Sequence, residues 1–266
     1  MEQEQKQPIH LLWTGGWDST FRLLHLVLSE RRTVQPYYVM DSDRQSTGVE
    51  IRAMRNIKSR LFSKDPEARD LLLPTYYKEL FDIAPNPSVT ERFERIRSRL
   101  YMGRQYEWLP RFCAEVGISE MELCIHKDDK AHKILETFCT TSDDGNGVRY
   151  KVEPRWDGSD EYALFRCFRF PVFELRKVDM QTLAKKAGFN DLMELTWFCH
   201  SPRPNFQPCG ICNPCIYTME EGLGRRLPFS SRMRSRFHVI LRAKHFVQKR
   251  PELYVFSKRL KRSLGL

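Results

Sequence analysis

IHLLW (9–13) runs apolar, breaks into the paired glycines of TGGWDST (14–20), and re-emerges as a helical pattern through residue 30. A strand feeding a helix through a glycine turn is the first half of a βαβ unit, and the next parallel strand needs that helix as its crossover. Phe21, Leu24, Val27 and Leu28 fall on one helical face, which gives the helix a side to lay on the sheet. The pattern then repeats. VQPYYVM (34–40) is β-rich, VEIRAMRNIKSRLF (49–62) helical, and DLLLPTYYKEL (70–80) a third strand region. Residues 88–117 read as helix with a break near Met102 and Gly103, 120–129 as a strand running into a charged loop, 167–175 as a strand, and 178–189 as a helix ended by Gly188. Alternation of this kind predicts an α/β fold with a parallel sheet covered on both faces. The polar, glycine-rich stretch 140–160 is expected to be a surface loop.

At 266 residues the chain has room for one α/β domain and an appendage. No apolar run approaches the roughly 20 residues that span a bilayer, and the polar start MEQEQKQP is unlike a signal peptide, so a soluble, cytoplasmic protein without a membrane partner is expected. The net charge of +10 has an address. Of 44 Lys and Arg, eleven lie in residues 229–266 beside a single acid, Glu252; the other 228 residues hold 33 basic and 33 acidic side chains and are formally neutral. Within that tail Met233, Phe237, Ile240, Leu241 and Val247 share a helical face, with Arg232, Arg234, Arg236, Arg242 and Lys249 largely elsewhere. After Pro251 a second stripe, Leu253, Phe256 and Leu260, runs beside Lys258, Arg259, Lys261 and Arg262. Two amphipathic basic helices are predicted, either packed on the core or serving as an arm for a nucleic acid or protein partner. A homodimer is compatible with this sequence.

Four cysteines, Cys113, Cys124, Cys139 and Cys167, are scattered and read as reduced core or helix-face residues. The other four, Cys199, Cys209, Cys212 and Cys215, crowd into TWFCHSPRPNFQPCGICNPC. CxxC spacing turns two sulfurs onto one ion, and four thiolates suit a tetrahedral Zn²⁺ with no open position, hence a structural site. An iron–sulfur cluster, a disulfide or redox chemistry are the alternatives on ligand type alone. His200, beside a ligand, reads as a surface or supporting imidazole.

TGGWDS lacks the lysine and spacing of GxxxxGK[ST] and does not fit GxGxxG. It can still cradle phosphate. Gly15 and Gly16 expose backbone N–H groups, Thr14 and Ser19 add hydroxyls, and Trp17 to Ser19 enter a helix whose N-terminus is partly positive. Asp18 would cap that helix or help hold a Mg²⁺ that accompanies phosphates. The bland alternative is a tight turn with a capping acid.

The loop resembles the SGGxDS loop of the PP-loop ATP pyrophosphatases, with Thr14 in place of serine. Together with the TWxC…CGxCxxC pattern, it resembles one branch of them, the 7-cyano-7-deazaguanine synthases of queuosine and archaeosine precursor synthesis. The likeness covers roughly residues 8–228, with VEIRAM (49–54), MGRQYEWL (102–109), HKDD (126–129) and PVFELRK (171–177) aligning in order. It implies a Rossmann-like PP-loop domain (8–195), a zinc lobe (196–228) and, outside the likeness, the basic tail (229–266). It implies a carbon–nitrogen ligase using ATP and Mg²⁺: a carboxylate such as 7-carboxy-7-deazaguanine is adenylated, aminated by ammonia, and the amide dehydrated to a nitrile. Trp13, Thr14, Gly15, Gly16, Trp17, Asp18, Ser19 and Thr20 would then hold ATP, with Asp18 and Ser19 at the phosphates, Lys177 meeting phosphate and Arg104 on the substrate side. Two departures stand near the acceptor: MDSDRQSTG (40–48) replaces the family's Tyr-Gly-Gln, and Gln105 stands where GRN has asparagine. A relative acting on another carboxylate, on RNA or on protein, or a non-catalytic ATP-binding subunit, are the competing readings.

Overall fold

The computed structural model describes residues 7–143, 148–237, 246–247 and 250–263. The chain forms β1 (Ile9–Leu12), α1 (Trp17–Leu24), β2 (Val34–Met40), α2 (Thr47–Lys64), α3 (Ala68–Leu71), β3 (Tyr76–Glu79), α4 (Pro87–Arg99) and α5 (Gln105–Glu115). There follow β4 (Met121–Glu122), α6 (Lys130–Leu135), β5 (Cys139–Asp143), β6 (Val148–Val152), α7 (Asp160–Phe165), β7 (Phe168–Arg169), α8 (Lys177–Lys186) and α9 (Asn190–Met193). Next come α10 (Asn213–Thr218), α11 (Phe229–Phe237) and α12 (Pro251–Ser263). Five strands make one sheet in the order β3-β2-β1-β4-β7, and every pairing in it is parallel. The α/β class expected from the alternation is therefore present.

Period-two alternation in the strands divides the core into two layers. Ile9, Leu11, Trp13, Val34 and Tyr38 face α1, α2, α8 and α9, where Phe21, Met54, Ile57, Met180 and Phe189 meet them. Leu12, Tyr37 and Val39 face the other way, onto Phe93, Leu109, Phe112 and Phe165. Each such fully buried side chain contributes about 1.5–3 kcal/mol by leaving water. Gly188, at φ +78°, ends α8 as expected: the Gly188 and Phe189 amides donate back to the Lys185 and Ala184 carbonyls, which satisfies the helix end.

Several boundaries differ from the sequence expectation. The third strand is only 76–79, because Ala68–Leu71 close a helical turn before Pro74. β4 and β7 shrink to two residues each, and the remaining apolar positions of 120–129 and 167–175 become loops over the sheet's end. The stretch 140–160 is not a loop but holds the antiparallel β5–β6 hairpin, tied to the sheet edge at Tyr150 and Phe170. Its polar look misleads because Arg149 is buried. Arg149 Nη1 lies 3.4 Å from Glu122 Oε1, and Glu122 also takes two bonds from Arg22, at 2.8 and 2.9 Å. Two buried guanidinium groups thus share one buried carboxylate, which offsets the cost of taking the charges out of water and joins α1, β4 and the hairpin.

Tail residues Ile240, Leu241, Arg242 and Lys249 lie outside the described residues. Among the described ones, α11 and α12 are helical, but Phe237 is 71 % exposed, so it does not pack as its stripe predicts. No helix among the described residues is long and apolar enough to cross a membrane.

Candidate functional site

The chain builds β1, β2 and β3 toward one edge and then returns to place β4 and β7 on the other side of β1. The loops after β1 and β4 therefore leave the C-terminal ends of neighbouring strands in different directions, the position at which α/β sheets bind their ligands. The loop after β1 is TGGWDS. Gly15 is at φ +69°, and a Cβ there would come 2.9 Å from Met54 Cγ and 3.2 Å from the Glu50 carbonyl, so only glycine lets α2 approach. Gly16 is the N-cap of α1 without any side-chain cap, which leaves the first α1 amides to an external acceptor.

The residues expected to hold a nucleotide divide into two groups. Trp13 and Thr20 are buried and bonded to each other, indole Nε1 to hydroxyl at 3.0 Å. The Trp17 ring is buried too, donating to the Lys177 carbonyl at 3.2 Å. These three side chains support the loop from within, so any contact they make with a nucleotide is through the backbone. For Trp13 the physical cause is that the strand's alternation continues through it into the core. Thr14 is exposed, Gly16 and Asp18 are half-buried, and Ser19 Oγ accepts a long bond from the Thr14 amide, 3.5 Å.

Asp18 brings together side chains far apart in sequence. Its Oδ2 lies 3.8 Å from Lys177 Nζ and 3.7 Å from His126 Nδ1. Glu221 closes the cluster, 2.7 Å from Lys177 Nζ and 3.4 Å from His126 Nε2. Burial works against the Lys177 ammonium, but Asp18 and Glu221 outweigh it and raise its pKa. Burial likewise opposes the His126 imidazolium, and the same two carboxylates raise its pKa above the ordinary value. Glu221 is held below the usual range: burial opposes this, and His126 and Lys177 overcome it. Asp18 Oδ1 is buried and has no hydrogen-bond partner. An orphaned carboxylate oxygen beside open helix amides fits a cation that arrives with phosphate.

Arg226 fastens the start of α1 to the cysteine lobe. Its Nη2 donates to the Thr196 carbonyl and hydroxyl at 2.5 and 2.7 Å, and its guanidinium lies 4.9 Å from the Trp17 ring centre. Burial pushes its pKa down to about 10, which leaves it charged at neutral pH. The Trp197 amide donates to the Gly15 carbonyl at 2.9 Å, a second tie between the lobe and the glycine loop.

In the lobe, the sulfurs of Cys199, Cys209, Cys212 and Cys215 all lie within 4.8 Å of one another. The Cys209–Cys215 and Cys212–Cys199 separations are 3.9 and 3.8 Å. A tetrahedral zinc with about 2.3 Å bonds to sulfur requires edges of about 3.8 Å, so the set fits Zn²⁺. A disulfide is excluded by these distances, and all eight cysteines are free. The Cys209 amide donates to Cys199 Sγ at 3.2 Å, and the Ile211 and Cys212 amides donate to Cys209 Sγ at 3.4 and 3.3 Å, which stabilises thiolate charge. His200 is exposed and outside the sulfur set.

Arg104 stays apart from the cluster, exposed at the start of α5. Sequence reasoning missed His126, Glu221 and Arg226 as site residues. His126 opens HKDD, and its place just after an apolar strand was the available signal; Glu221 and Arg226 lie in MEEGLGRR, which carries none. Neither the family models nor the curated proteins compared with the chain match it.

Proposed function

We propose that the chain is an ATP-dependent, AMP-forming carbon–nitrogen ligase of the 7-cyano-7-deazaguanine synthase type, with a PP-loop domain, a structural zinc lobe and a basic tail. The observation that carries it is the convergence of Asp18, His126, Lys177 and Glu221 beside the Gly15–Gly16 loop, at the point where the strand order reverses. A carboxylate is a poor electrophile. Attack of its oxygen on the α-phosphorus of ATP releases pyrophosphate and leaves an acyl adenylate; ammonia then displaces AMP to give the amide. A second ATP activates the amide oxygen, and loss of AMP leaves the nitrile.

In this scheme the first α1 amides and the hydroxyls of Thr14 and Ser19 would bind phosphate, and Asp18 would help hold a Mg²⁺ that neutralises it. Lys177, already oriented by Glu221, meets the charge that builds on departing pyrophosphate. Arg104, exposed at the start of α5 and away from the reacting carboxylate, is left to the far side of the acceptor. Cys199, Cys209, Cys212 and Cys215 would hold a structural zinc outside the reaction, while the Trp197 amide ties the lobe to Gly15. Incubation with ATP, Mg²⁺, ammonium and 7-carboxy-7-deazaguanine should yield AMP, pyrophosphate and the nitrile by mass spectrometry. ATP binding without AMP from any acceptor would instead identify a nucleotide-binding subunit.

A second reading keeps the chemistry and changes the acceptor. The loop 41–48 is closed on itself: Thr47 Oγ1 donates to the Asp41 carbonyl at 2.6 Å, and Arg44 and Ser46 bind Glu50 at 2.5 and 2.8 Å. This loop stands where the resembled family has Tyr-Gly-Gln, a departure that supports another carboxylate, and pyrophosphate release with that acceptor but not the deazaguanine would establish it.

A further inference from the structure

Burial in α12 runs opposite to its sequence pattern. The buried residue is Tyr254, edge-on to Tyr101 with ring centres 5.8 Å apart, and Lys258 Nζ donates to the Arg97 carbonyl at 2.9 Å. These contacts hold α12 on the end of α4. The apolar stripe faces away: Leu253, Phe256 and Leu260 are 36, 64 and 49 % exposed, and their spacing of three and four puts them on one line along the helix. Phe229, Phe237 and Phe246 are also exposed. The tail thus supplies six of the 14 large hydrophobic side chains exposed among the described residues, and it carries the whole net charge.

The structure assigns this face to an anionic lipid surface, on which α12 lies with its stripe in the acyl boundary and Arg259 among the headgroups. A helix docked by its polar side, with leucine and phenylalanine outward and Arg259 beside Phe256, meets both requirements of such a surface. The other occupants each meet one. A nucleic acid would answer the charge and could stack on Phe256, yet it would leave the aliphatic Leu253 and Leu260 on the same line in water. A second copy would cover the stripe, yet it would bring together two tails with eleven basic residues and one acid each. A peripheral surface contact of this kind needs no spanning helix.

The test uses the full chain, loaded with zinc, sedimented with vesicles of phosphatidylcholine alone or with about 30 % phosphatidylglycerol. Binding should be about tenfold or more tighter on the anionic vesicles and should weaken as salt rises. Variant L253S/F256S/L260S keeps every charge and alters only outward side chains, so its zinc content and circular dichroism should match the parent while its vesicle binding falls about tenfold or more. Equal or absent binding on the two vesicle types overturns the assignment, as does a variant that binds like the parent. Tighter binding of single-stranded RNA, unchanged in the variant, would make the tail a nucleic-acid arm, and a dimer in sedimentation velocity that the variant dissolves would make the stripe a self-interface. None of these outcomes depends on the ligase reading.

Discussion

Asp18 has one oxygen facing Lys177 and His126 and another with no partner, and this asymmetry defines its role. Asp18→Asn keeps the shape and removes the charge that a cation would meet. Pyrophosphate release should fall about 10²–10³-fold, with zinc content unchanged; retention of full turnover would show that the carboxylate is only a helix-start acid. His126 gives a second prediction. Its folded pKa is raised, so its imidazolium contributes stability fully below the unfolded value of about 6.5, and this stability is lost as pH rises through the folded pKa. An NMR titration of His126 should therefore give a midpoint above 6.5, and His126→Gln should remove that step from the stability–pH profile. A midpoint below it would mean that burial outweighs Asp18 and Glu221. At this scale the sequence exposes the residues but not their partners: Asp18 announces itself in TGGWDS, whereas Glu221 looks like any surface acid until Lys177 is seen 2.7 Å away.

Among the elements, α11 behaves as part of the cysteine lobe rather than as a free tail. Ser231 is fully buried and donates from its hydroxyl to the Pro208 carbonyl at 2.6 Å, and Arg234 Nε donates to the Cys209 carbonyl at 3.0 Å. A Cβ on Gly210, at φ +84°, would fall 2.1 Å from the Ser231 carbonyl oxygen. Backbone cannot yield as a side chain can. Gly210→Ala carries both the positive-φ cost of about 1 kcal/mol and the clash, and should cost about 2–4 kcal/mol in thermal unfolding and speed zinc loss to a chelator, while Gly188→Ala, also at positive φ but with open space around it, should cost only about 1 kcal/mol. Similar losses for the two would refute the contact. The CxxC spacing made the sulfur set legible because its residues are neighbours in the chain. The docking of α11 was not, since its stripe of Met233 and Phe237 points to an apolar contact while Ser231 and Arg234 make the real one.

In the whole molecule the two halves of the tail have different attachments, and truncation should separate them. Ending the chain after residue 249 removes α12, whose anchors are Tyr254 and Lys258 on α4, and should leave zinc content and ATP turnover near those of the parent. Ending it after residue 228 also removes Ser231 and Arg234 from Gly210 and Cys209, and should lower both the melting temperature and zinc retention, because the lobe supports Gly15 through Trp197. Identical behaviour of the two truncations would mean that α11 contributes nothing to the lobe. The sequence by itself determined the α/β alternation, the glycine loop opening α1, and the four-sulfur set, because periods of two and 3.6 residues and a CxxC turn are local geometry. Only the tertiary structure decided that Asp18 meets His126, Lys177 and Glu221, that the polar hairpin buries Arg149 against Glu122, and that the stripe of α12 faces outward. Those pairings depend on the strand order and on which helix side finds a neighbour, and a local pattern constrains neither.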